Sequence, residues 1–100
     1  MPTTSKALFR GAAATSSTTL YTVPASTTAV ITNIVVVNTA ASAGTFTLLL
    51  DDVSLATTVA IAANDTTVID LKQTLATAKT IKGSASATTI NFHISGVEIV

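Results

Sequence analysis

The 100-residue sequence contains no cysteine and no tryptophan, and it has only four glycines, two prolines and one histidine. Without cysteine, the chain can form neither a disulfide framework nor a thiolate zinc site. Apolar runs such as residues 35–37 and 48–50 are far shorter than the roughly 20 residues that a membrane-spanning helix needs. We therefore expect no membrane segment.

Charge is equally scarce. Charged residues make up 10% of the chain, and five Lys and Arg balance five Asp and Glu. Binding to nucleic acid depends on clustered basic side chains that neutralise phosphates. The sequence therefore predicts no nucleic-acid partner.

Few residues are suited to catalysis. His93 is the sole imidazole and has no second ligand nearby in sequence, so we interpret it as a structural residue of a strand. Asp51, Asp52 and Asp65 fit turn positions better than a calcium loop, whose spacing is absent. Neither G-x-S-x-G nor S-x-x-K occurs. We expect no enzyme activity, no cofactor, no metal and no small-molecule substrate.

What the chain does contain is typical of β-strands. There are 21 Thr and 10 Val, and β-branched side chains favour the extended backbone. Large residues alternate with small or polar ones in residues 45–51, 53–62, 66–72 and 90–95, as in strands with one buried face. Seven or eight short strands separated by turns predict an all-β fold, a single antiparallel sandwich that is jelly-roll-like or immunoglobulin-like.

Local signals give the internal organisation. Asp51 and Asp52 predict a two-residue hairpin, and residues 63–65 predict the next turn. Gly96, where the apolar parity changes, predicts a β-bulge in the last strand. Residues 1–16 are expected to form an arm and linker with a short strand, and residues 17–100 are expected to form the sandwich.

One strand is apolar on both faces. In residues 27–38 large aliphatic side chains occupy both parities, so this strand is expected either to be central and covered on both faces or to place its second face against a neighbouring chain. A lysine group in the second half of the chain (Lys72, Lys79, Lys82) is interpreted as protection of sheet edges, with a patch that docks on an acidic protein partner as the alternative. The candidate partner-contact residues are Lys6, Phe9, Arg10, Tyr21, Val30, Ile34 and Val36.

Several segments resemble small virion proteins of tailed bacteriophages. The resemblance runs over residues 18–100 and is carried by residues 20–24 (LYTVP), 27–36 (TTAVITNIVV), 38–39 (NT), 45–48 (TFTL) and 94–99 (ISGVEI). Asp52 and Ala78 stand where this family commonly has a turn glycine.

The resemblance implies a β-sandwich that decorates or completes a virion. It favours a capsid decoration (cement) protein on the outer head surface, made in the bacterial cytoplasm. Such a protein is expected to form a homo-oligomer, a trimer, that binds the major capsid protein. A minor tail, neck or fibre-associated protein is the alternative. A carbohydrate-binding module is a third hypothesis, disfavoured because such sites rely on exposed aromatic side chains.

Overall fold

The computed structural model describes residues 3–100, and these form eight β-strands and no helix. The strands are β1 (Thr3–Ala12), β2 (Thr18–Thr22), β3 (Thr28–Asn38), β4 (Gly44–Leu50), β5 (Val53–Ile61), β6 (Thr66–Leu75), β7 (Thr80–Ala85) and β8 (Ile90–Ile99). Sheet A has the order β1-β8-β3-β6 and sheet B the order β2-β7-β4-β5. The predicted antiparallel sandwich is confirmed.

The strand pairing identifies the type of sandwich. β1 pairs with β8, β2 with β7, β3 with β6 and β4 with β5, all antiparallel. This is one long hairpin rolled up on itself, with β8 beside β3 and β7 beside β4. Of the two sandwich types expected, the strand order is that of the jelly roll.

The core lies between the two sheets and follows the predicted alternation in β4 and β8. Phe46 and Leu48 of β4 are buried, as are Phe92 and Ile94 of β8. The rings of Phe46 and Phe92 meet edge-to-face with centroids 6.3 Å apart, a favoured aromatic geometry. Because one ring comes from each sheet, this pair joins the layers.

A bulge in β3 buries two residues that were predicted to contact a partner. β3 residues Ile31 and Asn33 pair with Gly96 and Ser95 of β8, so Thr32 is an extra residue. An extra residue reverses which parity faces the core. Ile34 and Val36 are therefore fully buried, and the prediction that they contact a partner is wrong.

The parity of β8 does not change at Gly96, so the bulge predicted there is wrong. Ile94, Gly96 and Glu98 all face inward, so β8 itself keeps its alternation, and the extra residues beside this stretch are Leu8 in β1 and Thr32 in β3. Gly96 is required for space, since a β-carbon there would collide with the Val30 carbonyl oxygen and lie 2.9 Å from Leu8 Cδ1. The irregularity belongs to the two neighbouring strands, β1 and β3.

The N-terminal residues are part of the sandwich. The structure pairs Thr3–Ala12 with β8 along its whole length, so the arm predicted for residues 1–16 is wrong over residues 3–12. Within that prediction, Met1 and Pro2 lie outside the described residues. The short strand expected within this segment is a ten-residue strand.

The predicted hairpin at Asp51 and Asp52 is confirmed, with positive φ angles of 54° and 59°. Asp51 and Asp52 form ion pairs with Lys79 (3.5 Å) and Lys82 (2.7 Å). Lys82 lies on β7, which is an interior strand. Lys79 lies in the turn that precedes β7. Edge protection is therefore the wrong interpretation of Lys79 and Lys82, and of the three lysines in this group Lys72 alone lies on an edge strand.

Bulges protect the edges instead. The edge strands are β1, β2, β5 and β6, and each departs from regular register with its neighbour. Leu8 in β1 and Leu20 in β2 are the extra residues at two of these sites. Because a bulge twists an edge away from further pairing, the irregular register opposes uncontrolled strand addition.

Candidate interaction surfaces

The outer face of sheet B is covered by hydroxyl groups. Register and burial place a set of small polar side chains on it, and Lys82 and Leu49 lie on the same face. That set is Thr19, Thr22, Thr45, Thr47, Thr80 and Ser84. Hydroxyl side chains are well solvated, as expected of a surface in contact with water.

The outer face of sheet A is aliphatic by comparison. We define it by five side chains that point away from the core, namely Val30, Val35, Val37, Val68 and Val97. Val68 is 57% exposed, and the others are half-buried by their neighbours. An antiparallel sheet normally presents a polar outer face to water, so this face has the composition of a contact surface.

Charged side chains on this face lie at its two edges. Arg10 on β1, His93 on β8, Val35 on β3 and Val68 on β6 form one row across the sheet. In the adjacent row, β6 contributes Asp70. Arg10 and Asp70 therefore lie on opposite edges of this face, and Lys72 follows Asp70 on the β6 edge.

A second surface lies along β5, the strand at one edge of sheet B. We define the β5–β6 flank by three exposed side chains of β5, Val53 (67%), Leu55 (37%) and Val59 (37%), and by the half-buried Ile69 and Leu71 of β6. β5 carries no charged residue. The alternation of residues 53–62 predicts one buried face. Of the large aliphatic residues in β5, Ile61 is buried, whereas Val53, Leu55 and Val59 are exposed. The reason is that β5 is an edge strand with no further strand beside it.

A polar cluster joins the two sheets near β1, β2 and β8. The Tyr21 hydroxyl donates a hydrogen bond to Glu98, and Lys6 Nζ lies 3.3 Å from Glu98 Oε1. Glu98 is 9% exposed. A buried carboxylate requires such partners to offset its desolvation, so Lys6 and Tyr21 serve the interior of the protein.

The cluster shifts the ionisation of both acids. The hydrogen bond from Tyr21, assisted by Lys6 and opposed by burial, lowers the pKa of Glu98 below 4.5. Burial, together with the hydrogen bond to Glu98 and its charge, raises the pKa of Tyr21 above 10.0. The stable form therefore holds a charged Glu98 and a neutral Tyr21 across neutral pH.

The remaining predicted contact residues divide between the two sides of sheet A. Phe9 pairs with Ile94 and packs against the core, whereas Arg10 and Val30 lie on the outer face. Sequence reasoning missed Val35 because the bulge at Thr32 reverses the parity of β3. It did not select Val68, which lies on the outward parity of β6. It also missed Val53 as an exposed residue, since alternation does not reveal which strand is at an edge.

Among residues 3–100, no three His, Asp or Glu side chains lie close enough together to hold a metal ion. No helix in this described part of the chain is suited to crossing a membrane. No protein-family model and no curated protein matches the chain.

Proposed function

We propose that this protein is a bacteriophage virion structural protein, a capsid decoration (cement) protein that binds the outer head surface and stabilises contacts between major capsid subunits. The observation that carries the proposal is the β5–β6 flank, where Val53, Leu55 and Val59 are exposed on a strand without charge. Exposed aliphatic clusters on small domains mark sites of protein contact.

An adhesive role needs more than one contact surface on each subunit. The β5–β6 flank and the outer face of sheet A are separate aliphatic surfaces on one compact domain. A homo-oligomer that uses one surface for itself and the other for the shell binds several shell subunits at once. The first contact then holds the other subunits close to their sites, so the oligomer binds the shell more tightly than a single subunit does. The trimer implied by the sequence resemblance stays a prediction.

The aromatic side chains support adhesion over carbohydrate binding. Phe46 and Phe92 are buried, and Phe9 and Tyr21 are half-buried. The hydroxyl of Tyr21 is also engaged by Glu98. Glycan sites use exposed aromatic faces for stacking, and the chain has no Trp. The residues that would supply such a platform therefore belong to the interior.

Reconstitution tests the proposal. Phage heads are purified from a strain in which this gene is deleted, and purified protein is added back in a pelleting assay. We expect saturable binding to heads, and we expect heads that lack the protein to break at a lower temperature than heads to which it has been added back. Heads whose outline and stability are the same with and without the protein, and which do not bind it, would contradict the proposal.

Paired variants locate the contact. Val53→Asp with Val59→Asp places two charges in the β5–β6 flank, and we expect binding to heads to weaken at least about tenfold because buried unpaired charge is costly. Thr22→Asp, an exposed position on the outer face of sheet B, is the matched control. Equal weakening by both variants would exclude the flank as the contact.

A further inference from the structure

We propose that the outer face of sheet A is a self-association surface, on which two copies of the chain pack face to face about a two-fold axis that runs roughly along the strands. The inference rests on the proposed homo-oligomer and names the surface it uses. It assigns a pair as the self-associating unit, where the sequence resemblance implies a trimer.

The outer face of sheet A is proposed because its side chains are more aliphatic than those on the outer face of sheet B. Sheet B presents hydroxyl side chains such as Thr19, Thr22 and Thr47. At the centre of sheet A, β3 presents Val30, Val35 and Val37 outward, with the polar residues Thr32 and Asn33 between Val30 and Val35. Two such faces bury aliphatic surface against each other, as the inner faces of a sandwich do, at a separation of about 10 Å.

The area is sufficient for a specific pair. Four strands about 4.8 Å apart and ten residues long, at about 3.4 Å per residue, give a flat face of roughly 650 Å². Two copies then bury about 1,300 Å² in total, within the range of about 1,200–2,000 Å² found for specific interfaces. The face is therefore comparable in size to an ordinary interface and larger than most accidental contacts.

The charges are complementary under this symmetry. A two-fold axis along the strands places the β1 edge of one copy over the β6 edge of the other, so Arg10 faces the edge that carries Asp70. The two residues lie in adjacent rows, about 7 Å apart along the strand direction, a distance that the long arginine side chain covers. The contact occurs twice, because a two-fold interface is isologous.

Other polar groups on the face fit the same arrangement. Lys6 and Glu98 are paired on the inner side of the sheet and add no charge to the contact. Lys72 follows Asp70 on β6 and is exposed at the rim. His93 and Val35 are neighbours in the central row. The two-fold symmetry therefore places His93 of one copy opposite Val35 of the other, and the same contact occurs twice.

Sedimentation velocity of the purified protein tests the pairing without any phage particle. It is run from about 1 µM to about 500 µM, the range in which an interface of this size associates. We expect a monomer–dimer equilibrium. Val68→Asp is expected to raise the dimer Kd at least about tenfold, while Val53→Asp, a similarly exposed valine on the flank, leaves it unchanged. Thermal unfolding of each variant verifies that it is folded.

A charge exchange tests the symmetry itself. Arg10→Asp and Asp70→Arg each place like charges at both edge contacts, and we expect each to weaken pairing. The double variant restores opposite charges and is expected to recover the dimer. A monomer at all concentrations, a trimer, a dimer insensitive to Val68→Asp, or a double variant that stays weak would each overturn the proposed pair. A monomer that still binds heads would refute this inference alone.

Discussion

The hydroxyl of Tyr21 on β2 donates a hydrogen bond to the buried carboxylate of Glu98 on β8, and so joins sheet B to sheet A. Lys6 supplies the opposite charge from β1. Glu98 faces inward because β8 keeps its parity through Gly96. A polar group in this position stabilises the fold only while its partners are present.

Tyr21→Phe removes the donor and keeps the ring. We expect a loss of about 1.5–3 kcal/mol in the free energy of unfolding at pH 7, the usual size for a hydrogen bond to a charged group. Because Glu98 has a lowered pKa, its contribution is present above its ordinary value of 4.5 and is lost as pH falls through the lowered value. In urea unfolding, we expect the free energies of unfolding of the wild type and the variant to become equal as the pH falls and Glu98 is protonated.

The same cluster predicts an alkaline limit. The pKa of Tyr21 is raised above 10.0 in the folded protein, so its contribution is present below pH 10 and is lost as pH rises through the raised value. We expect Tyr21→Phe to remove this part of the alkaline destabilisation. A variant with unchanged stability at pH 7 would show that the hydrogen bond carries no net energy.

Gly96→Ala tests the close approach of β8 to β3. A β-carbon at Gly96 collides with the Val30 carbonyl oxygen, a backbone atom that moves only with its strand. We expect a loss of about 3 kcal/mol or failure to fold. Gly11→Ala is the control, since its nearest neighbour is the Phe9 ring at 3.3 Å. Similar melting temperatures for the two variants would contradict the packing described.

Ala78→Gly is expected to stabilise the protein. Ala78 has a φ of 70°, and the left-handed region costs a non-glycine residue about 1–2 kcal/mol. Glycine also raises the entropy of the unfolded chain by about 0.4–1 kcal/mol, so the expected net gain is about 0.5–1 kcal/mol. Ala76→Gly, two residues earlier, is expected to destabilise. Chemical denaturation of both variants measures the difference, and a loss at Ala78 would contradict the turn geometry.

Asn38 is the buried polar residue whose replacement is expected to loosen the β3–β4 connection. Its amide donates to the carbonyl oxygens of Ser42 (2.8 Å) and Ala62 (3.2 Å) and accepts from the Ala40 amide (3.0 Å). We expect Asn38→Ala to cost about 2–3 kcal/mol, since three hydrogen bonds made by a buried side chain are lost. Asn91→Ala, at a half-buried outward position, is the control and is expected to change stability by less than about 1 kcal/mol.

Much of the fold could be predicted from local pattern. Alternation placed Phe46 and Leu48 on the buried side of β4, and the aspartates placed the hairpin at Asp51 and Asp52. The jelly-roll order could not be read from the sequence, because β1 pairs with β8 across nearly the whole chain. Such a long-range pair has no local signal.

The candidate surfaces were harder to predict because they depend on register. One extra residue at Thr32 buried Ile34 and Val36 and turned Val35 outward. The doubly apolar pattern of β3 correctly indicated an aliphatic outer face, but it did not show which parity would form it. Val53 alternates like a core residue, and its exposure follows only from the edge position of β5.

The copy number of this protein in purified virions tests whether it is a decoration protein of the head. Particles are separated into heads and tails, and the protein is quantified against the major capsid protein by stained gel or mass spectrometry. We expect hundreds of copies per particle in the head fraction. A few to a few dozen copies in the tail fraction would support the tail alternative and contradict a decoration protein, and complete absence from particles would contradict a virion role altogether.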